Sequence, residues 1–350
     1  MASVTPGVTR RAADAVVVGA GIAGLACATT LRGHGLSHMV FERSRGVGGR
    51  CATRRVSGQP VDHGAAFLHG SDPGFLAAIT AVPGATLLDG WPREIEGVGP
   101  PCAPKAFEPL ERRLAYAEGL TVFPKHLARG LDVRLETPVV SLSAASGGIL
   151  VQTESGQPIL TPSVVLAVPP PTAVKLLVPL AGEGREAAAV GALMRMIGSQ
   201  ACLTVLAGYS LDTARPSWDI RYPEDSASVQ MISHDSAKRE APRSVVLVVQ
   251  ARPCWSLAHL ETPEETWSDG LIRETARLVG AWAGRPSWVQ AHRWRFARSD
   301  RGSELSRPLS LRMNGGGRVI VTGESFAPGG GIEAAWLAGI ASARRLLEQE

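Results

Sequence analysis

Residues 16–35 read VVVGAGIAGLACATTLRGHG, and two incompatible structures are latent in them. By hydropathy the stretch resembles a secretory signal. Arg10 and Arg11 precede an uncharged run from Ala15 to Leu31, and Ala26-Cys27-Ala28 has the small-residue spacing of a cleavage site. By glycine spacing it is a strand, a tight turn and a helix shaped for a pyrophosphate. The second reading prevails. An apolar signal core has no need of glycines at fixed offsets, whereas Gly19, Gly21 and Gly24 follow the β-branched run Val16-Val17-Val18 directly.

Each glycine then has a task. Gly19 permits the sharp turn off a buried parallel strand, Ala15–Val18. Gly21 lets a phosphate approach the backbone, and Gly24 lets the helix pack closely on the sheet. The helix starts at Ile22 and Ala23, runs to about Arg32, and offers unpaired N–H groups and a partial positive charge to an anion. A second strand, His38–Phe41, ends at Glu42. That acid stands about 20 residues past the glycines, where the dinucleotide fingerprint requires a ribose-binding carboxylate. Arg43 lies beside it. These residues predict a βαβ unit that holds a dinucleotide, and spacing alone leaves FAD and NAD both open.

The wider composition narrows the classes. The chain has 350 residues, 45% hydrophobic and 19% charged, enough for two domains with a substantial core. Thirty-six basic residues are scattered among 32 acidic ones for a net charge of +4, with no basic arm or helix, which argues against nucleic acid. The five cysteines are widely spaced and form no CxxC, which suits unpaired, buried thiols and a cytoplasmic location. No later segment is apolar enough to span a bilayer as a helix. His63 and His69 stand six apart with no converging ligand set, so no metal is expected and both take structural or surface roles.

Downstream motifs carry a family resemblance. Gly48-Gly49-Arg50 in RGVGGRCATRR (45–55) resembles the second flavin-contacting motif of the FAD-dependent amine oxidase superfamily. DHGAAF (62–67) is similar to the segment beside the isoalloxazine ring. GGRCATRR with VDHGAAF, HLARGLDVRLETPVVSL (126–142), SVVLAVPPP (163–171), ISHDSAKRE (232–240), CWSLAHLE (254–261) and AHRWRFARSD (291–300) resemble the renalase-like branch. VIVTGESFAPGGGIEAAWLAGIASA (319–343) closes the chain as the superfamily does. The resemblance implies FAD as cofactor, held by Gly19, Gly21, Ile22, Ala23, Gly24, Glu42, Arg43, Gly49 and Arg50. It adds His63, Gly64 and Ala65 at the ring, Val139 at the adenine, and Gly323, Glu324, Gly331 and Ile332 from a second glycine-flanked helix start. Arg50 is expected on a phosphate and Glu324 on the ribityl or phosphate region. The chain departs from the superfamily at Glu324-Ser325 and at Ala66. No residue matches its flavin-facing lysine, Lys238 being the nearest thought.

The implied fold is α/β: a Rossmann-type FAD-binding domain of the glutathione-reductase/amine-oxidase type with a second, mainly antiparallel α+β substrate domain. Residues 1–13 form a loose tail; 14–80, 125–172 and 290–350 form the FAD domain; 81–124 and 173–289 form the substrate domain. Strands are expected at Arg318–Val321, Ala201–Leu206 and Ser244–Gln250, and helices at Leu271–Ala283 and Ile332–Leu347. Phe67, Trp218, His234, Trp255, Trp294 and Trp336 are candidates for an aromatic substrate wall. The implied reaction moves a hydride from a C–H bond next to nitrogen to flavin N5, with molecular oxygen as acceptor, in an isomeric dihydronicotinamide or an amine. This transfer needs no obligatory side-chain base, so no catalytic residue is assigned. The alternatives are an FAD-dependent desaturase or tailoring enzyme acting on a larger apolar substrate, and a non-catalytic nucleotide-binding module.

Overall fold

Ala15–Val18 is four fully or nearly buried residues, and such a strand is stable only with neighbours on both sides. In the computed structural model, which describes residues 12–181, 185–213, 215–313 and 315–348, it has them. It pairs in parallel with His38–Phe41 on one side and Ser163–Leu166 on the other. Arg318–Val321 extends the sheet in parallel, and Leu309–Arg312 closes that edge antiparallel. Val133–Arg134 forms the opposite edge of the six-stranded sheet.

Two helices cover one face of this sheet, Ile22–Gly33 and Gly331–Leu347. Each follows a strand of the parallel set, so both begin at the carboxyl edge, where ligands of such sheets bind. They touch backbone to backbone. A Cβ on Gly339 would stand 2.2 Å from the carbonyl oxygen of Ala23, and one on Gly24 would stand 1.9 Å from that of Gly19. Gly19 itself turns at φ +105°, a conformation that side chains disfavour.

A second six-stranded sheet is mainly antiparallel. Its order is Trp288–Ser299, Ser199–Tyr209, Val245–Ala251, Val229–His234, Ile220–Arg221 and Ile95–Glu96. Alternation along its strands sends Leu203, Val205, Leu247 and Val249 toward the helix Glu264–Val279, and Leu206, Val246 and Val248 toward Val61. The expected strand at Ala201–Leu206 is therefore longer than the sequence indicated. The expected helix at Leu271–Ala283 begins seven residues earlier, after Pro263, because Trp267 joins Leu271 and Ile272 on its buried face. It stops at Gly280, where φ is +131°, and Ala281–Gly284 is a separate 3-10 turn.

Strand Trp288–Ser299 pairs with Ser199–Tyr209 almost throughout. A boundary at 290 would cut it, so we propose that the division falls after Ser299. Residues 1–11 of the expected tail lie outside the described residues. Ala12 and Ala13 are not loose: Ala12 N–H donates to Leu160 O at 3.2 Å, and Ala13 is buried. Three cysteines are buried as expected, but Cys102 is half-buried and Cys254 exposed.

A buried charge cluster ties the hairpin strand Gln59–Asp62 to the second sheet, through the 3-10 turn Asp235–Lys238 between its strands Val229–His234 and Val245–Ala251. Lys238 Nζ stands 2.5 Å from Asp62 Oδ2 and 2.6 Å from Asp235 Oδ1, and all three side chains are fully buried. Arg239 donates to both carboxylates, at 3.2 and 2.7 Å. Burial opposes the Asp62 carboxylate, but Lys238 and Arg239 outweigh it and hold its pKa well below the usual range. Removing one cation strands a buried negative charge. Lys238→Met should therefore lower stability by about 3–5 kcal/mol in urea denaturation of the cofactor-free protein; a loss under about 1 kcal/mol would show that the cluster does not hold segment 59–62 to the second sheet.

Candidate active site

The glycine loop forms an open cradle. A Cβ on Gly21 would meet nothing within 4 Å. The helix it opens has neither a side-chain cap nor an acid in its first turn. Its leading N–H groups are thus free for an anion. Glu42 bends over the loop, accepting from Ala20 N–H at 2.8 Å and Ser44 N–H at 2.9 Å. Gly48 donates its N–H to Ala20 O at 2.8 Å, and Gly48 and Gly49 both take positive φ. Thr137 N–H reaches Glu42 O at 2.9 Å, which brings the strand starting at Val139 to the same place. Arg43 is exposed beside it.

The last helix starts in the same manner. Gly329, Gly330 and Gly331 have φ of +88°, +62° and +79°, and no side chain caps the helix. The single acid in its first turn, Glu333, is turned aside to accept N–H bonds from Ser71 and Asp72 at 2.6 and 2.7 Å. Ile332 is half-buried next to it. An elongated dinucleotide with a phosphate on the first helix start and a ring edge toward the second fits these residues.

Between the two starts, Arg50 pairs through Nη1 with Glu324 Oε1 and donates to Ala297 O at 3.3 Å, while its side chain stays 34% exposed. The same Glu324 oxygen accepts from Ser299 N–H at 2.8 Å and its hydroxyl at 3.1 Å. Glu324 thus joins the two motifs, 274 positions apart, and its Oε1 is committed to protein. Gly323, at φ +147°, turns the chain into this carboxylate.

The segment 62–67 is clamped from the second sheet. Trp294 Nε1–H donates to His63 O at 3.0 Å, Gln250 Nε2–H to Gly64 O at 2.5 Å, and Lys238 Nζ–H to Ala66 O at 3.0 Å. Ala65 N–H donates to Arg50 O at 2.8 Å. Lys238, the nearest thought for a flavin-facing lysine, is instead a fully buried support. His63 stacks on Trp294 at 5.5 Å and meets His292 edge-on at 4.9 Å.

Phe67 stands in a second aromatic group with Trp91, Phe107 and His69, at 6.2, 6.3 and 6.2 Å. The other aromatic candidates pack elsewhere. Trp218 meets His234 edge-on, and Trp255 stacks on His259 at 4.0 Å; both tryptophans belong to the core under helix Glu264–Val279. Trp336 packs on Phe75 at 5.8 Å. The expected wall is therefore split, with Phe67 in one aromatic group at the end of segment 62–67 and Trp294 in another against His63 near its start. Sequence reasoning missed Trp91, Phe107, Gln250 and His292, and it assigned His69 no role in the site. Among the described residues no group of three or more His, Cys, Asp or Glu side chains is arranged for a metal, and no helix is long and apolar enough to cross a membrane.

An open glycine cradle and a second uncapped helix start on one edge of a parallel sheet define a dinucleotide-binding fold. Residues 17–78 match the NAD(P)-binding Rossmann-like domain and residues 97–347 match the flavin containing amine oxidoreductase family. The chain belongs to that family. The flavin-containing monoamine oxidase AofH of Mycobacterium tuberculosis is 48% identical over 67 residues, which is 19% of this chain and only 15% of AofH. Solved structures share the fold over nearly the whole chain. A putrescine oxidase triple mutant has a TM-score of 0.72 at 16% identity, covering 97% of this chain and 99% of that one. Cyclohexylamine oxidase from Brevibacterium oxydans has 0.70 at 14% identity, covering 96% and 99%. A protein described as a protoporphyrinogen oxidase from Exiguobacterium has 0.72 at 15% identity, covering 97% and 99%.

Burial drives the His63 pKa from 6.5 to about 3, with Arg54 and His292 adding to the effect. Burial and Arg54 take His292 to about 4. The unfolded chain binds these protons near pH 6.5 and the folded protein resists them, so stability is full above about 6.5 and falls as the pH drops toward 4. The melting temperature should fall over that window, and the fall should be smaller in His63→Phe. An equal fall in both proteins would contradict the neutral, buried imidazole.

Proposed function

We propose that the protein is an FAD-dependent oxidoreductase that oxidises a C–H bond next to nitrogen, with molecular oxygen as terminal acceptor. FAD would supply the hydride acceptor and, on reoxidation, hydrogen peroxide. The observation that supports this most is the pair of uncapped helix starts, one beneath Glu42 and Ala20 and one at Gly331, on the same edge of one sheet. The first suits a pyrophosphate. The second suits the negative charge that collects on a reduced flavin ring, and it is in place before that charge forms.

The side chains at the ring-side segment position and exclude water. Phe67, Trp91 and Phe107 form one aromatic group, and Trp294 with His63 forms another. A small amine is the substrate class best supported, since the fold neighbours include enzymes named for putrescine and cyclohexylamine. An isomeric dihydronicotinamide is the second donor of the same kind, on the renalase-like resemblance. A larger apolar substrate is the alternative, favoured by the exposure of Val98 and Leu110, 81% and 84%, which flank Phe107 in the chain. A cytoplasmic location fits the five cysteines, none of them in a disulfide.

Anaerobic mixing of the FAD-loaded protein with a panel of primary amines and dihydronicotinamide isomers should bleach the flavin absorbance within seconds for at least one compound. Bleaching by none of them, with bleaching by an apolar polycyclic donor instead, would move the assignment to the alternative.

A further inference from the structure

Strand Leu68–Gly70 carries His69 out of the ring-side segment, and its imidazole is held at one nitrogen only. Nδ1 stands 2.8 Å from Glu111 Oε2, a carboxylate whose side chain is 2% exposed. Glu111 Oε1 stands 3.1 Å from Lys105 Nζ, and Lys105 Nζ stands 3.0 Å from Glu333 Oε2. The chain of contacts therefore runs from His69 through Glu111 and Lys105 to the first turn of the last helix. Burial works against the Lys105 ammonium, but its hydrogen bonds to Glu333 and Glu111 outweigh that and raise its pKa. Glu111 consequently faces a fixed cation and accepts on both oxygens.

An ionised carboxylate only accepts, so Nδ1 must carry its proton. In the neutral ring this leaves a lone pair on Nε2. That nitrogen has no hydrogen-bond partner among the described residues, and the side chain keeps 11% exposure. It lies 3.7 Å from where a Cβ on Gly331 would be, with the Phe67 ring 6.2 Å from its own. The free lone pair thus stands between the second helix start and the aromatic wall.

Resting on the reading of the protein as an amine oxidase, we propose that His69 Nε2 removes the proton of a substrate ammonium, with Glu111 as its positioning partner. Hydride loss requires a neutral amine, because an ammonium has no lone pair to stabilise the developing iminium. The N–H bond of the ammonium breaks, its electron pair stays on the substrate nitrogen, and the proton forms an N–H bond at Nε2. Besides Glu111, Lys105 and Glu333, the charged groups around His69 are Arg113, opposite it on the paired strand, Arg112 next to that, Asp72 at the following helix cap, and Glu304 near Gly330.

Anaerobic flavin reduction by an amine, followed against pH, tests this with a dihydronicotinamide isomer as a donor that has no ammonium proton. His69→Gln should slow reduction by the amine about 100-fold at pH 7 and recover as the pH approaches the amine's own pKa, while any slowing of reduction by the dihydronicotinamide should be far smaller and should not recover with pH. Glu111→Gln should shift the acid limb of the amine profile in the same sense. His69→Asn serves as a second variant if the first does not fold. A readout independent of turnover is the binding of tert-butylamine, which has no C–H next to nitrogen. Calorimetry should give wild-type affinity nearly flat below the amine's pKa, and affinity in His69→Gln weakening about tenfold per pH unit, since only the neutral amine then binds. Identical pH profiles in wild type and variants, or equal losses with both donors, would overturn the assignment of His69. Failure of the wild type to be reduced by either donor would instead remove the oxidase reading, and this assignment with it.

Discussion

The contact on which the site depends is between two helix backbones. Ile22–Gly33 and Gly331–Leu347 approach closely enough that a single carbon on Gly339 would meet Ala23 O at 2.2 Å. Both helices follow parallel strands of one sheet, separated by the strand Ser163–Leu166 alone. Two helix N-termini from opposite ends of the chain are thereby fixed on one edge, and neither is capped by a side chain. The N–H groups of an uncapped helix start bind water until an anionic ligand takes its place. Two such starts side by side suit an elongated anionic ligand.

The second sheet makes that edge a site. Three backbone carbonyls of segment 62–67, at His63, Gly64 and Ala66, receive hydrogen bonds from Trp294, Gln250 and Lys238. Arg50 and Glu324 tie the two glycine-rich motifs together. A segment held in this way presents fixed atoms to whatever lies against it, and rigid placement is the part of hydride transfer that a protein can supply. Burying Asp62, Asp235, Lys238 and Arg239 to secure it is tolerable because each charge has partners on both sides.

What was legible in the sequence was local and steric. The φ of Gly19, the open space at Gly21 and the tight packing at Gly24 follow from glycine spacing after a β-branched run. The Ala15–Val18, His38–Phe41 and Arg318–Val321 strands stand where the pattern placed them. What was not legible depends on distant partners. Nothing near Arg50 in the sequence marks Glu324 as its partner, and only the fold brings the two together. His69 read as a structural or surface residue because Glu111, 42 positions away, carries no mark of its own. The polar run Glu264–Gly270 hid the first two turns of a helix whose buried face begins at Trp267. Tryptophan counts could not separate Trp294 at the site from Trp218 and Trp255 in the core, since both environments reward the same apolar area.

The central claim is that the two helix starts hold one FAD. Its most direct measurement is the identity and amount of nucleotide released on denaturing the protein after reconstitution with FAD. The account predicts a yellow protein that yields close to one FAD per chain, held without a covalent bond. A correctly folded protein that binds no flavin under those conditions, or that takes up NAD in its place, would contradict it.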